Sequence, residues 1–159
     1  MLIYTHMFKN GKVDAFTLIE IVIVVAILGI VAAIGLPTVL HAGTSARSKQ
    51  FAHDINVATQ AFMQYSLDSG GSYPGDQLPG ELPEGMSGYL NERMWTGETS
   101  IGGYWDWDYE VFGITAAVSV KDPNWSDQQM TEIDGLLDDG DLGSGSFRKR
   151  SQGYMFVIE

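Results

Sequence analysis

Glu20 is the residue with the clearest chemical consequence, because it is a carboxylate inside the apolar run 16–36. The residues that follow it, Ile21 to Leu36, carry no polar side chain. A carboxylate at the centre of a bilayer costs about 2.5–3.5 kcal/mol, and less one helical turn from the end. Thr17 and Glu20 fit the Thr-x-x-Glu capping box, which needs no outside partner. The alternative is that Glu20 neutralises a positive group on another subunit, and both roles can apply at different stages.

A second group of carboxylates lies near the C-terminal end of the chain. The loop around Gly140 and Gly143 carries four aspartates: Asp134, Asp138, Asp139 and Asp141. Hard cations such as calcium take several oxygen ligands in a turning loop, although this spacing does not match an EF-hand loop. The candidate metal ligands are therefore Asp138, Asp139 and Asp141, with calcium as the candidate ion. The alternative is a solvated acidic turn that binds no metal.

The sequence shows no catalytic arrangement. The three histidines are scattered, and His41 and His53 lie too far apart on one predicted helix to share a metal. No nucleophile–base pair, phosphate-binding loop or zinc-ligand spacing is present. We therefore expect that the protein is not an enzyme.

Composition narrows the class of protein further. The formal net charge is −11, with most acidic residues in the C-terminal two thirds, so binding to nucleic acid phosphates is disfavoured. The chain has no cysteine, so a secreted domain must be held by core packing or by a metal. Its 159 residues suffice for one modest domain beyond the apolar run.

The elements that position Glu20 follow from the length and periodicity of the N-terminal half. The run 16–36 spans roughly 31 Å as a helix, the thickness of a bilayer core. Beyond it, apolar residues recur every three or four positions, which predicts one continuous helix from about 16 to 67 that ends at Gly70 and Gly71. The members of this apolar face are Phe51, Ile55, Ala58, Phe62 and Tyr65. A cleaved signal peptide is the alternative, but its apolar region is typically shorter.

The remaining residues predict a small sheet. Residues 70–100 are rich in glycine and proline, and Tyr73, Met86, Tyr89 and Trp95 are expected to pin this long connection. Aromatic and acidic residues alternate over 103–109, which predicts a strand with one buried face. Further strands are predicted over 114–120 and 153–159, with a capped helix from Ser126 between them. The expected fold class is α+β, with three or four antiparallel strands. The basic triplet 148–150 is expected at a solvated strand entrance, or against a neighbouring acidic subunit.

The stretch Phe16-Thr17-Leu18-Ile19-Glu20, with the apolar run containing Gly29 and Pro37, resembles the N-terminal signature of type IV pilins and type II secretion pseudopilins. The resemblance implies cleavage by a prepilin peptidase between Ala15 and Phe16 and methylation of the Phe16 amine. It also implies that Glu20 pairs with the Phe16 amine of a neighbouring subunit. The helix between Gly29 and Pro37 would melt in a filament. Alternatively, small residues there allow close helix approach and the proline kinks the helix.

The leader departs from the family pattern. It reads Lys12-Val13-Asp14-Ala15, whereas the family usually has glycine before the scissile bond, so the efficiency of cleavage is in question. The start is open between Met1 and Met7. The absence of cysteine suits pseudopilins better than disulfide-stapled pilins.

The resemblance implies a pilin-like organisation with four parts. These are a cytoplasmic leader 1–15, a transmembrane and filament-core helix 16–37, an amphipathic continuation 38–69 and an acidic extracytoplasmic head 70–159. The expected function is a structural subunit of a type II secretion pseudopilus, in the inner membrane with a periplasmic head before assembly. Its expected partners are like subunits, the peptidase, the assembly platform and lipid. The alternatives are a major or tip subunit of a type IV pilus, or a plain anchored binding domain.

Overall fold

The long N-terminal helix is the largest element of the fold. The structure, a computed structural model, describes residues 16–159, with only the backbone described at Pro37, Thr38 and Leu40. Helix α1 runs over Leu18–Asp68 and its assignment passes through Pro37 without a break. It ends where Gly70 and Gly71 adopt positive φ angles of 72° and 93°. The amide of Gly71 donates to the carbonyl of Ser66 at 2.8 Å, closing the helix as the sequence predicts.

The chain divides into two compact units between His41 and Ala42. In the first unit, the described residues form the apolar part of α1. The second unit contains the rest of α1, a 3₁₀ turn Met86–Gly88, helices α2 Glu92–Thr96 and α3 Asp127–Leu137, and four strands. The strands are β1 Tyr104–Tyr109, β2 Ala116–Lys121, β3 Phe147–Arg150 and β4 Gly153–Val157. They form one antiparallel sheet in the order β1-β2-β4-β3. The predicted α+β fold is confirmed.

The core of the second unit is an aromatic layer between α1 and the sheet. Phe62 stacks on Trp107 with ring centroids 3.8 Å apart, and Phe51 stacks on Trp105 at 5.3 Å. Trp95 joins these pairs and donates its indole N–H to the carbonyl of Glu81 at 2.8 Å, which holds the long connection against the core. The predicted apolar face of α1 is therefore confirmed as the face that packs.

Replacing Phe62 with alanine is expected to destabilise the second unit by about 3–5 kcal/mol, because a fully buried ring leaves a cavity beside Trp107. Leu67→Ala is the matched control on the same helix, since Leu67 is 75% exposed, and it should change stability by less than about 0.5 kcal/mol. Thermal unfolding of the full chain in detergent measures both. Equal effects of the two substitutions would show that the aromatic layer does not dominate stability.

Helix α3 begins with a reciprocal cap. The Ser126 side chain accepts from the amide of Gln129, and the Gln129 side chain accepts from the amide of Ser126. Met130 and Ile133 then face the core and are fully buried. The predicted capped helix is confirmed, and its last turn leads directly into the acidic loop.

Candidate functional site

The first turn of α1 has the capping geometry that its sequence predicts. The amide and the hydroxyl of Thr17 donate to Oε2 of Glu20 at 3.1 and 3.0 Å. The amide of Glu20 donates to the Thr17 hydroxyl at 3.3 Å. Both bonds to the Glu20 carboxylate use Oε2, and within residues 16–159 Oε1 of Glu20 makes no hydrogen bond or ion pair. Glu20 therefore caps its own helix and still presents a carboxylate oxygen at the helix end.

The apolar part of α1 is exposed along its whole described length. Phe16 is 79% exposed, and the large apolar side chains from Leu18 to Leu36 are all at least half exposed. Among the described helices, α1 alone is long and apolar enough to cross a membrane, judged by length and composition. A continuous apolar surface of this size requires lipid or other protein around it.

The small residues of this segment leave open space around the helix. A side chain added at Gly29 or Gly35 would meet no atom within 4 Å. Neither glycine is thus required by packing in the described part of the chain, and the roles predicted for Gly29 and Pro37 stay predictions. Ala15, predicted to precede the scissile bond, lies outside the described residues with the rest of the leader 1–15.

The acidic loop places three carboxylates together. Oxygen atoms of Asp134, Asp138 and Asp139 lie within 4.8 Å of one another. Asp134 is on the last turns of α3 and is fully buried, and neither of its carboxylate oxygens has a hydrogen-bond partner among the described residues. Burial is the main cause that raises the pKa of Asp134, the charges of Asp139 and Asp138 raise it further, and the nearby backbone of Gly140 partly offsets them. A buried carboxylate that pairs with no cation is the strongest sign of a cation site in the described chain.

Hydrogen bonds hold the other two carboxylates in place. Asp139 accepts from the amide of Asp141 at 2.9 Å and from the Ser144 hydroxyl at 2.8 Å, and Asp138 accepts from the amide of Ser146. Each therefore uses part of its capacity to shape the loop.

The sequence predicts Asp141 as a metal ligand, but the structure does not place it with the other carboxylates. Its carboxylate accepts from the amide of Gly143 at 3.0 Å, and it is not in the group of three. The structure thus brings together two of the three predicted ligands, Asp138 and Asp139, with Asp134. Positions 130, 133, 134 and 137 lie on one face of α3 by helical spacing, so the sequence places Asp134 among buried residues. This spacing is the signal by which Asp134 could have been recognised as a buried carboxylate. This donor set of carboxylate oxygens fits calcium.

The outer face of the sheet carries an ionic network that the sequence reading missed. Asp106 and Asp108 alternate with the core tryptophans of β1, yet they are only 6% and 3% exposed. Arg150 contacts Asp106 through Nη2 at 2.5 Å and Asp108 through Nε at 3.2 Å, and Ser119 donates to Asp108. The expectation that β1 has only one buried face is therefore wrong.

The prediction that the basic triplet 148–150 lies at a solvated strand entrance is wrong for Arg150. It is buried because its guanidinium bridges two buried carboxylates. Lys149 is exposed and pairs with Asp127 at 2.5 Å, and Arg148 donates to the carbonyl of Gly145. The triplet is therefore engaged within its own chain.

The buried aspartates predict that stability falls as the pH rises. Burial raises the pKa of Asp106, Asp108 and Asp134 above their ordinary value of 3.8. A raised pKa in the folded state means that the folded chain binds more protons, so the unfolding free energy decreases from about pH 4 upward. Asp127 and Asp139 have lowered pKa values, and their opposite contribution falls below that range. Melting temperatures measured in a chelator should be higher at pH 4.5 than at pH 8, whereas equal values would contradict the raised pKa values.

Comparison with known proteins identifies only the N-terminal segment. Residues 11–36 match the prokaryotic N-terminal methylation motif, the signature of type IV pilins and pseudopilins. The match covers Phe16, Glu20 and Gly29. No curated protein and no solved structure matches the chain.

Proposed function

We propose that this pilin-like protein is a structural subunit of a type II secretion pseudopilus. The observation that carries the proposal is the methylation motif over 11–36, placed on an exposed apolar helix with Glu20 in its first turn. Proteins with this signature are processed by a prepilin peptidase and assembled into filaments, and the signature is that of structural subunits. The lack of cysteine favours a pseudopilin over a disulfide-stapled pilin.

In this proposal each segment has a separate role. The leader 1–15 is removed on the cytoplasmic side, and the helix 16–37 anchors the precursor and later enters the filament core. Segment 38–69 connects this core to the head 70–159, which lies in the periplasm. Glu20 pairs through its carboxylate with the methylated Phe16 amine of a neighbour. A carboxylate in an apolar environment is tolerated when it is paired, and the pairing sets the register between subunits.

Mass spectrometry of the N-terminus tests the proposal directly. The expected mature chain begins at methylated Phe16. An intact Met1, or a cut near residue 42, would show that the segment is an ordinary anchor or signal peptide.

A deletion strain then identifies the machine. Loss of protein secretion with intact surface pili supports the pseudopilus, and the reverse phenotype indicates a type IV pilus.

The acidic loop supports a second, independent proposal, that the head binds calcium through Asp134, Asp138 and Asp139. The ion would neutralise the buried Asp134 carboxylate, whose oxygens have no partner in the described residues. Isothermal titration with calcium tests this on the full chain, and magnesium serves as the control because it prefers a stricter octahedral geometry. Absence of heat with calcium would reject the site.

A further inference from the structure

A pocket of about 330 Å³ lies on the outer face of the sheet. Asp106, Asp108 and Arg150 line it, and so do the exposed side chains of Leu78 and Phe112. This face is opposite to the one that packs on α1, because the pocket aspartates alternate along β1 with the core tryptophans.

Hydrogen bonds from backbone amides build both walls of the pocket. On one side, Asp76 accepts from the amide of Tyr109 at 3.1 Å, and the amide of Gly80 donates to the carbonyl of Trp105 at 2.7 Å. On the other side, the amide of Glu110 donates to the carbonyl of Thr115 at 2.9 Å and closes the turn that carries Phe112. The pocket is therefore a fixed part of the head.

The pocket has one more negative than positive charge. Its carboxylates are Asp76, Asp106 and Asp108, and its cations are Lys121 and Arg150. Burial raises the pKa of Asp106 and Asp108 even though Arg150 contacts both, so the guanidinium does not fully compensate them. One more cationic side chain would balance the site.

Phe112 has an unfavourable backbone conformation, and burial of its side chain does not compensate for this. Its φ angle is +51°, which is unfavourable for an aromatic residue, and its side chain is 54% exposed. The ring contacts the Arg150 guanidinium with a distance of 5.1 Å to the centroid. Leu78, beside the same pocket, is 68% exposed. Phe112 and Leu78 thus form an exposed apolar rim beside the charged pocket, and a contacting protein would bury this rim.

The positively charged residues of the second unit indicate which side chain could occupy the pocket of another copy. Lys121 and the triplet 148–150 belong to the pocket or are engaged by their own chain. Within the described residues, Arg47, Lys49 and Arg93 are exposed and form no ion pair. Charges across an interface are arranged to be complementary, so in a chain of net charge −11 the free cations are the groups that match the acidic surface of another copy.

Lys49 is the best placed of these three. It has no acidic residue three or four positions away on α1, and the next carboxylate along the helix, Asp54, is bonded by Gln50 at 2.8 Å. Arg47 instead lines a separate pocket with Glu98, and Arg93 lies in the last turn of α2, where the free carbonyls of the helix end favour a cation.

We propose that the head pocket receives Lys49 from a second copy of this chain, with Phe112 and Leu78 covering the lysine stem. The proposal rests on the proposed filament, in which copies meet repeatedly. Lys49 supplies the missing positive charge, and its contact with the rim buries the exposed apolar side chains.

Site-specific cross-linking tests the contact, because the native chain has no cysteine and introduced thiols are the only ones present. His53→Cys combined with Gln77→Cys leaves Lys49 and Phe112 intact, because His53 is exposed one turn from Lys49 on α1 and Gln77 lines the pocket. Treated with a short bis-maleimide in assembled filaments, this pair should give covalent dimers and higher multimers. Arg93→Cys combined with Gln77→Cys is the matched control and should stay monomeric. Multimers with the control pair and none with the 53–77 pair would overturn the proposal.

A second variant tests the exposed side chain of Phe112 without disturbing the fold. Phe112→Gly suits the positive φ angle and should leave the melting temperature unchanged or raise it. It should lower filament yield about tenfold, the loss typical of an important interface residue. Leu136→Ala removes a similarly exposed apolar side chain elsewhere and should leave the yield unchanged. Equal yields for Phe112→Gly and the native chain would overturn the contact.

The outcomes separate this contact from the filament role itself. Filaments that give no 53–77 cross-link would overturn the contact and leave the filament function standing. If even the native chain forms no filaments, the filament function fails, and the cysteine pair is then cross-linked in the concentrated detergent-solubilised chain. Dimers there support the contact, and monomers overturn it.

Discussion

Glu20→Gln is expected to reduce filament assembly at least about a hundredfold while the first turn of α1 stays formed. Glutamine keeps the capping box, because its carbonyl oxygen accepts from Thr17 as Oε2 of Glu20 does. It removes the negative charge, so the neighbouring amine is left unpaired in an apolar environment. Leaving one partner of a buried pair alone costs about 3–5 kcal/mol, which corresponds to the stated loss of assembly. Filaments recovered by shearing and quantified on gels measure the effect.

Two further variants separate the cap from the charge. Glu20→Ala removes both, and should add a small loss of helix stability of about 1 kcal/mol or less to the same assembly defect. Val22→Ala, on the exposed apolar surface nearby, is the control and should assemble nearly normally. Normal assembly of Glu20→Gln would assign Glu20 the capping role alone.

Asp134→Asn is expected to stabilise the head without calcium and to abolish any stabilisation by calcium. Without a cation, the buried carboxylate of Asp134 has no partner in the described chain, and a neutral amide is less costly there. The gain should be about 1–2 kcal/mol. Calcium at a hundredfold excess over its dissociation constant should stabilise the native chain by about 2.7 kcal/mol. Melting temperatures with chelator and with calcium measure both effects.

Asp141→Asn is the matched control for this experiment. Asparagine still accepts the hydrogen bond from the Gly143 amide, and Asp141 is not in the group of three carboxylates. The variant should therefore keep the calcium response. Loss of the response in Asp141→Asn but not in Asp134→Asn would instead support the ligand set read from the sequence, Asp138, Asp139 and Asp141.

Features that depend on neighbours in the chain were predictable from the sequence. The capping boxes at Thr17 and Ser126 and the end of α1 at Gly70 use bonds that span three to five residues. The packing face of α1 follows from helical periodicity, and the aromatic face of β1 from strand alternation. These signals are local, so one sequence suffices to read them.

The burial of charged residues was not predictable in the same way. Arg150 meets Asp106 across 44 positions of sequence, and it is buried because the connection before β1 and the turn after it cover the outer face. A charged side chain on an alternating strand normally faces water, and the pattern contains no sign of a cover.

The sequence by itself determined the N-terminal part of this protein: a membrane-length helix, its cap at Thr17 and Glu20, and the methylation motif over 11–36. Only the tertiary structure decided which charges are buried. It groups Asp134, rather than Asp141, with Asp138 and Asp139, and it buries the Arg150 side chain against the sheet. The physical reason is that helix length and capping depend on adjacent residues, whereas the environment of a charge depends on distant segments that pack over it.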